Sequence, residues 1–230
     1  MIRSFVGTSL IEYPGKVCSV IFLGGCNLYC PFCHNPELVR PDLLADQLSI
    51  SPDSVIERLR ARQGFVEAVT VTGGEPLIQE GLPDFLASLR KQTPLAIKID
   101  TNGTLPERMP PLEGLVDYLA IDVKASPDRY PEATGGHDVF DRVLRSIAAA
   151  GSFPAFELRT TMVPGLIDRD GLMDVLDAIG IPVARYVLQP FRPQKTLSPE
   201  YEEVVPYPVS YLEECAEAMR ARVAEVEVRS

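Results

Sequence analysis

The chain has 230 residues, of which 46% are hydrophobic and 23% are charged, and its formal net charge is −10. This size and composition fit one globular domain over residues 1–230 and argue against large-scale disorder. The negative charge disfavours nucleic acid as a partner, because such binding depends on Lys and Arg that neutralise phosphates. We find no segment typical of a signal peptide or membrane span, so the expected location is the cytoplasm, with no membrane partner.

Strand-like and helix-like segments alternate from about residue 17 to the end of the chain. This alternation is typical of an α/β fold, in which helices cover a parallel sheet. The predicted strands are Val17–Leu23, Ala68–Thr72, Leu95–Thr101, Tyr118–Val123, Phe156–Met162 and Tyr186–Pro190.

Capping residues and apolar residues at helical spacing predict four helices. They run from Ser51 to about Gly64, from Phe140 to Gly151, from Asp168 to Gly180, and from about Ser210 to Arg222. Gly151 and Gly180 are predicted C-caps, because glycine readily adopts the left-handed conformation that often ends a helix. The segment between Phe191 and Pro208 is rich in proline, so it is predicted to be irregular.

Three cysteines, Cys26, Cys30 and Cys33, lie within eight residues of one another. Three thiolates on one loop can ligate three irons of a [4Fe–4S] cluster, whereas a cluster used only for electron transfer normally has four cysteine ligands. This spacing therefore indicates a cluster whose fourth iron is open to another ligand.

Two other interpretations of these cysteines remain open. A zinc site could use His34 as the fourth ligand, but His34 directly follows Cys33, and structural zinc sites usually join two separated ligand pairs. Disulfides are the second alternative, although three cysteines are an odd set and cytosolic thiols stay reduced. The remaining cysteines, Cys18 and Cys215, are predicted to be structural.

A second motif, Thr72-Gly73-Gly74-Glu75-Pro76, directly follows a predicted strand. The two glycines let backbone approach a ligand closely, and Pro76 fixes the turn. Glu75 adds a carboxylate acceptor. Taken alone, the motif could be an ordinary turn between a strand and a helix.

Polar residues end the later predicted strands, where parallel α/β barrels gather their active-site groups. These residues are Asp100, Thr101, Asn102, Asp122, Lys124, Arg159, Thr160, Thr161 and Gln189. Charged side chains on buried strands need a partner or a ligand. The alternative to a ligand is a structural ion pair of Lys124 with Asp122 or Asp100.

With both motifs present, the chain resembles the radical S-adenosylmethionine (SAM) superfamily. The marks of that family are a Cys-x3-Cys-x-aromatic-Cys loop, with Phe32 as the aromatic residue, and a Gly-Gly-Glu-Pro strand end. The resemblance implies a single radical SAM domain over residues 1–230 with a partial (β/α)6 TIM-like barrel. It implies that Cys26, Cys30 and Cys33 hold a [4Fe–4S] cluster and that SAM chelates the open iron.

Further site residues follow from the resemblance. The implied cofactor-binding residues are Phe32, Gly73, Gly74, Glu75, Pro76, Thr101, Asn102, Asp122, Lys124, Arg159 and Gln189, and the implied catalytic residues are Lys124 and Asp100. Gln189 stands where pyruvate formate-lyase activators place a histidine near the SAM ribose.

Within the superfamily, the chain is most similar to the activating enzymes of glycyl-radical proteins. Their Asp-x-Lys strand end supplies a lysine to the SAM carboxylate, and Lys124 matches it. In the pyruvate formate-lyase activator, aspartates that match Asp100 and Asp122 help to hold a monovalent cation. The runs Ser9–Lys16 and Cys33–Leu38 look most like the activating protein of anaerobic ribonucleoside-triphosphate reductase.

The resemblance implies a radical SAM oxidoreductase that cleaves SAM reductively to a 5′-deoxyadenosyl radical, which generates a glycyl radical on a partner enzyme. The implied electron donor is a low-potential protein such as flavodoxin or ferredoxin. One alternative is a small-molecule enzyme similar to 7-carboxy-7-deazaguanine synthase, although that family usually places Asp-Thr after the third cysteine, where this chain has His34 and Asn35. A non-catalytic zinc-binding module is the other alternative.

Overall fold

A computed structural model describes residues 2–45 and 47–229. These residues form one eight-stranded sheet in which the strands follow chain order from β1 to β8. The strands are β1 Ile2–Ser9, β2 Cys18–Leu23, β3 Ala68–Gly73, β4 Ala96–Thr101, β5 Tyr118–Asp122, β6 Phe156–Met162, β7 Val183–Pro190 and β8 Val223–Val228. β1 is antiparallel to β2, and every later pair is parallel. The predicted α/β class and the six predicted strands are confirmed.

Two strands, β1 and β8, have no counterpart among the predictions, and they lie at the two ends of the sheet. β8 has the sequence Val-Ala-Glu-Val-Glu-Val, and only Val223 is fully buried. β1 alternates between exposed and partly buried residues after Ile2. Because each of these strands has one solvated face, its sequence signal is an alternation of apolar and polar residues. The central strands are instead marked by continuous apolar runs.

Eight α-helices are present among the described residues, most of them after the strand that they cover. They are α1 Pro36–Val39, α2 Pro41–Ala45, α3 Pro52–Arg60, α4 Leu82–Gln92, α5 Tyr130–Ala133, α6 Phe140–Ala149, α7 Arg169–Ile179 and α8 Val209–Met219. The four predicted helices correspond to α3, α6, α7 and α8. α4 was not predicted. The predicted irregular segment after β7 contains only a short 3₁₀ turn, Pro199–Glu203.

Helix capping follows the sequence at three of the predicted positions. Ser51 Oγ accepts a hydrogen bond of 3.2 Å from the backbone N–H of Ser54 at the start of α3. Asp168 Oδ1 accepts one of 2.9 Å from Gly171 at the start of α7. Gly180 ends α7 with φ of 63°, the left-handed conformation that glycine adopts without strain.

The predicted C-cap at Gly151 is wrong. α6 ends at Ala149, its C-cap residue Ala150 is right-handed, and Gly151 lies in a 3₁₀ turn, Ala150–Ser152. The chain tightens from an α-helix into a 3₁₀ turn here, which satisfies the last carbonyl groups without a left-handed residue. α3 also ends at Arg60, before the predicted limit near Gly64.

The two faces of the sheet differ. The main hydrophobic core packs the helices against one face, whereas a smaller cluster that includes Cys18 and Val20 lies on the other face. The loop between β1 and β2 folds beneath that second face. There Thr70 Oγ1 donates a 3.2 Å hydrogen bond to the Glu12 carbonyl, and the Tyr13 ring lies 5.6 Å from the Tyr118 ring. The loop between β1 and β2 thus covers the inner face of the curved sheet at one end, and the sheet remains open at the carboxyl ends of the parallel strands.

Within the described residues, every helix is too short or too polar to cross a lipid bilayer.

Candidate active site

A cavity of about 610 Å³ lies at the carboxyl ends of the parallel strands. The predicted site residues that line it are Cys26, Cys30, Phe32, Cys33, Gly73, Gly74, Asp100, Thr101, Asn102, Asp122, Lys124, Arg159, Thr161 and Gln189. Each strand from β3 to β7 contributes to this wall. The fold therefore brings together nearly all of the predicted site residues.

The three cysteines lie on one loop, residues 24–35, which we call the cysteine loop. All three are free thiols in this structure. Burial raises the pKa of Cys26 to about 11 and that of Cys30 to about 12, and it also raises the pKa of Cys33. The positive charge of Lys124 opposes this effect at each of them. Binding of a metal centre by these thiols therefore requires the loss of protons.

The donor set suits an iron–sulfur cluster better than a single zinc ion. Among the described residues, no three His, Cys, Asp or Glu side chains converge on one metal position. His34 instead faces the chain that follows β7, because its Nδ1 is 3.4 Å from the Gln194 carbonyl oxygen and its ring is 5.9 Å from the Phe191 ring. Three thiolates without a convergent fourth ligand fit the corners of a cluster, where each ligates a different iron.

The glycine turn after β3 packs directly on the backbone of the cysteine loop. Gly74 N–H donates to the Leu23 carbonyl at 2.9 Å, and Glu75 N–H donates to the Gly25 carbonyl at 2.8 Å. A Cβ atom at Gly74 would lie 1.9 Å from the Gly25 oxygen, and Gly73 has φ of 126°. Only glycine permits this approach at both positions.

The Glu75 carboxylate does not line the cavity, which differs from the expected contact with SAM. It is fully buried, and Oε1 accepts hydrogen bonds from Leu77 N–H at 2.9 Å and Thr101 Oγ1 at 2.8 Å. Oε2 accepts one from Asn102 N–H at 2.7 Å. Burial raises the pKa of Glu75 to about 7. Glu75 therefore connects the ends of β3 and β4.

Pro76 also lies outside the cavity wall. It is buried and begins the 3₁₀ turn Pro76–Ile78, where its fixed φ suits the first helical position. Its contribution is to the shape of the turn.

Asn102 connects β4 to the cysteine loop. Its Nδ2 donates to Asn27 Oδ1 at 3.0 Å and lies 4.0 Å from Cys26 Sγ. Asn27 in turn donates to Thr104 Oγ1 at 2.8 Å. These contacts fix the height of the loop above the strand ends. Nothing in the sequence motifs singled out Asn27.

Charged side chains of alternating sign cross the ends of β4, β5 and β6. Asp100 accepts from Lys98 Nζ at 2.7 Å and from Arg159 Nη1 at 3.0 Å. Asp122 accepts from Arg159 Nη2 at 2.7 Å and from Lys124 Nζ at 2.9 Å. The Asp122–Lys124 pair considered as a structural alternative is present, whereas Asp100 pairs with other cations. Lys98 was not predicted, although its position two residues before Asp100 places it on the same strand face.

The surrounding charges keep Asp122 and Lys124 ionised. Burial opposes ionisation of Asp122, but the charges of Arg159 and Lys124 outweigh it and lower its pKa. Burial likewise opposes the charge on Lys124, but the charge of Asp122, together with Cys30 and Cys33 when they are deprotonated, outweighs it and raises the pKa of Lys124. A charged lysine that is partly exposed in a cavity can bind a carboxylate.

Other residues of the last strands separate into two groups. Thr160 points away from the cavity, where it hydrogen-bonds the Val123 carbonyl at 2.9 Å. Arg192, Gln194 and Arg229 line the cavity but were not predicted. Arg229 directly follows β8, and it could not be placed at the site because that strand was not predicted. Arg192 and Gln194 lie in an irregular segment with no motif to mark them.

The segment Phe191–Pro208, which we call the strap, packs on the cysteine loop. Ser198 N–H donates to the Pro31 carbonyl at 2.8 Å, and the rings of Phe32 and Tyr201 lie 6.2 Å apart. Because of this packing, Phe32 is only 5% exposed. The strap therefore covers the aromatic residue between the second and third cysteines.

Comparison with protein families gives one match that covers most of the chain. The model described as Radical SAM superfamily matches residues 20–177. This range includes the cysteine loop, the glycine turn, and the ends of β4, β5 and β6.

Curated relatives include proteins with different names. A protein of Methanocaldococcus jannaschii named as a candidate glycyl-radical enzyme activating enzyme is 30% identical over 237 aligned residues, which cover 100% of this chain and 96% of the relative. A 7-carboxy-7-deazaguanine synthase of Methanothermobacter thermautotrophicus is 35% identical over 102 residues, which cover 44% of this chain and 38% of the relative. The first similarity spans all the site residues.

Solved structures share the fold. The structure of Streptococcus suis SuiB bound to its precursor peptide SuiA superposes with a TM-score of 0.69 at 15% identity, over 90% of this chain and 48% of SuiB. An Escherichia coli coproporphyrinogen III oxidase, which is described as a radical SAM enzyme, superposes with a TM-score of 0.61 at 14% identity, over 92% of this chain and 53% of the oxidase. The predicted partial TIM-like barrel is thereby confirmed.

Proposed function

We propose, from the premise that this chain belongs to the radical SAM superfamily, that it activates a partner enzyme by removing a hydrogen atom from a glycine Cα. As a superfamily member the chain is a radical SAM enzyme, and its cofactors are a [4Fe–4S] cluster and SAM. The observation that carries the specific proposal is the similarity to a glycyl-radical enzyme activating relative over 100% of this chain.

In this proposal, Cys26, Cys30 and Cys33 would hold the cluster. When bound, the cluster would supply the electron that cleaves SAM to a 5′-deoxyadenosyl radical, and the protein would supply binding and orientation. All three cysteines and the backbone of Gly73 and Gly74 line one cavity, as this arrangement requires.

Lys124 is the proposed partner of the SAM carboxylate. Its side chain is 21% exposed, lines the cavity, and is held by Asp122 at 2.9 Å. Asp122 orients the Lys124 ammonium group and keeps it charged. The other two N–H donors of this ammonium group remain for a ligand. Asp100 acts on this site indirectly, because it pairs with Arg159, which in turn contacts Asp122.

Three further residues complete the proposed SAM site. Thr101 and Asn102 line the cavity beside the glycine turn, and Gln189 lines it from β7, on the side where we place the ribose. The strap covers Phe32 and limits access of water, which protects a radical from side reactions.

The test is anaerobic reconstitution with iron and sulfide, followed by electron paramagnetic resonance (EPR) of the dithionite-reduced protein with and without SAM. We expect a [4Fe–4S]⁺ signal that changes when SAM is added. Cys30→Ser should lose the cluster, whereas Cys215→Ser should retain it, because Cys215 is buried on α8 away from the cavity. A colourless protein with one bound zinc would contradict the proposal.

Two substrate classes are then distinguished by their products. Incubation with a glycyl-radical protein from the same organism and a low-potential donor, such as flavodoxin or ferredoxin, should yield 5′-deoxyadenosine and a glycyl-radical EPR signal. SAM cleavage should be slow without the partner. A small-molecule function is the second candidate, favoured by the local similarity to a 7-carboxy-7-deazaguanine synthase. Formation of a deazaguanine product would establish it in place of activation.

A further inference from the structure

The two aspartates that the resemblance assigns to a monovalent cation are already occupied by side-chain cations. Asp100 Oδ1 is 2.7 Å from Lys98 Nζ, and Asp100 Oδ2 is 3.0 Å from Arg159 Nη1. Asp122 Oδ1 is 2.7 Å from Arg159 Nη2, and Asp122 Oδ2 is 2.9 Å from Lys124 Nζ. Each of the four carboxylate oxygens therefore has its own cationic donor.

Arg159 is the member that contacts both aspartates. Its guanidinium lies between them, with Nη1 on Asp100 and both Nε, at 2.8 Å, and Nη2 on Asp122. A guanidinium is planar and always charged, so it can bridge two carboxylates with directed hydrogen bonds. The side chain is only 8% exposed, so these bonds are shielded from solvent.

A metal cation fits poorly in the same place. Hard cations need several oxygen ligands with free lone pairs, and they are repelled by nearby positive charges. Here Lys98, Arg159 and Lys124 face the two aspartates. The next carboxylate is Glu157, whose Oε2 is 3.3 Å from Arg185 Nε. Its buried Oε1 has no hydrogen-bond partner but lies 3.8 Å from Lys98 Nζ, so a metal ion there would meet a positive charge.

We propose that the Arg159 guanidinium takes the place of the monovalent cation, so that this protein binds SAM without one. In this arrangement Arg159 is a positioning residue. It fixes Asp122, and Asp122 fixes Lys124 at the cavity wall. The assignment rests on the proposed function as far as SAM is concerned, but the occupancy of the aspartates can be tested without SAM.

The first arm uses the cluster-free protein and thallium(I), a spectroscopic substitute for potassium. We expect wild-type protein to cause no saturable shift or broadening of the ²⁰⁵Tl nuclear magnetic resonance. Arg159→Gln removes the positive charge between the aspartates and should create saturable binding that potassium displaces. Arg142→Gln is the matched control, because Arg142 pairs with Glu107 on the surface. Saturable, potassium-displaced binding to wild type that Asp122→Asn removes would overturn the proposal.

The second arm measures SAM binding to the reconstituted enzyme in potassium, sodium or choline chloride at equal ionic strength. For wild type we expect the same dissociation constant in all three salts. For Arg159→Gln we expect binding to weaken at least about tenfold in choline relative to potassium, because a charge-assisted contact is lost unless a metal ion replaces it. Arg159→Lys retains a charge and should behave more like wild type.

The outcomes separate this proposal from the proposed function. Weaker SAM binding by wild type in choline would show that a metal cation is required and would overturn the proposal. If SAM does not bind in any salt, the proposed function fails, and the thallium arm still decides whether Arg159 fills the site. If Arg159→Gln does not fold, as judged by circular dichroism, the two wild-type measurements decide the matter alone.

Discussion

The backbone N–H of Asn102 donates a 2.7 Å hydrogen bond to the Glu75 carboxylate. This bond joins the end of β4 to the turn after β3, and the Asn102 side chain continues to Asn27 on the cysteine loop. The loop, the turn and the strand end are therefore one connected unit. A change in the buried carboxylate should reach the cysteines although the carboxylate does not line their cavity.

Glu75→Gln should change how stability depends on pH. Burial raises the pKa of Glu75 from 4.5 to about 7, so the folded protein binds this proton more tightly than the unfolded chain. The contribution of Glu75 to the free energy of unfolding should therefore fall as pH rises from about 4.5 to about 7, by roughly 3 kcal/mol in total. Urea unfolding of wild type and variant across this range measures the difference.

The variant should lack this part of the pH slope. It should also be less stable than wild type at low pH, because both oxygens of the protonated carboxyl group can accept hydrogen bonds from the three surrounding donors, whereas the amide NH₂ group cannot accept one. Glu80→Gln, at an exposed neighbouring position, is the control and should keep the wild-type slope. Equal slopes for wild type and Glu75→Gln would show that Glu75 does not titrate in this range.

Gly74→Ala should disrupt the cysteine loop. The added Cβ would lie 1.9 Å from the Gly25 carbonyl oxygen, so the backbone must move apart. We expect a loss of about 1–3 kcal/mol of stability and a fall in iron content after reconstitution. Gly151→Ala, where an added Cβ meets no atom within 4 Å, is the matched control. Normal iron content in Gly74→Ala would refute the role of this contact.

Tyr201→Ala should make the cluster more sensitive to air. Removal of the ring that covers Phe32 loses an aromatic pair worth about 1 kcal/mol, which corresponds to roughly fivefold more frequent opening of the strap. The decay of cluster absorbance in air measures this. Tyr207→Ala, which removes a ring packed on Tyr211 instead, should decay at the wild-type rate. Identical decay rates for the two variants would count against a cover formed by the strap.

Lys124→Met should weaken SAM binding by about tenfold to a hundredfold, because a charge-assisted contact at the cavity wall is lost. The variant should still hold its cluster, so the EPR signal of the reduced protein should remain. That signal should no longer respond to SAM at the concentrations that change the signal of the wild-type protein. Lys91→Met, on the exposed side of α4, is the control. Unchanged SAM affinity in Lys124→Met would assign the carboxylate contact to another residue.

Local patterns predicted the parts of the fold that depend on neighbouring residues. Apolar runs identified β2 to β7, and the side chains of Ser51 and Asp168 cap helices as their sequence positions suggest. The same reasoning missed the edge strands, whose apolar residues are interrupted by polar ones and do not form a continuous run. It also misplaced the end of α6, because Gly151 resembles a C-cap only when the 3₁₀ turn around it is ignored.

The sequence predicted most of the polar residues that line the cavity, but it did not predict their contacts. The motifs grouped Glu75, Asp100, Asp122 and Arg159, but no pattern shows which carboxylate faces which cation. The Asp100–Arg159 pair joins β4 to β6 across β5, and such pairing depends on the curvature of the sheet and on Lys98. The direction in which Glu75 points likewise depends on donors from β4, which are distant in sequence.

The cysteine loop makes backbone hydrogen bonds with later parts of the chain. Gly25 donates to Leu38, Tyr29 donates to Thr134, and Pro31 accepts from Ser198. A ribosome that makes this chain exposes the three cysteines long before residue 198 has been added. During that interval the thiols lack the surroundings that hold them in place. Iron delivery is therefore expected to follow completion of the polypeptide, and a nascent chain that stops before the strap should emerge without a cluster.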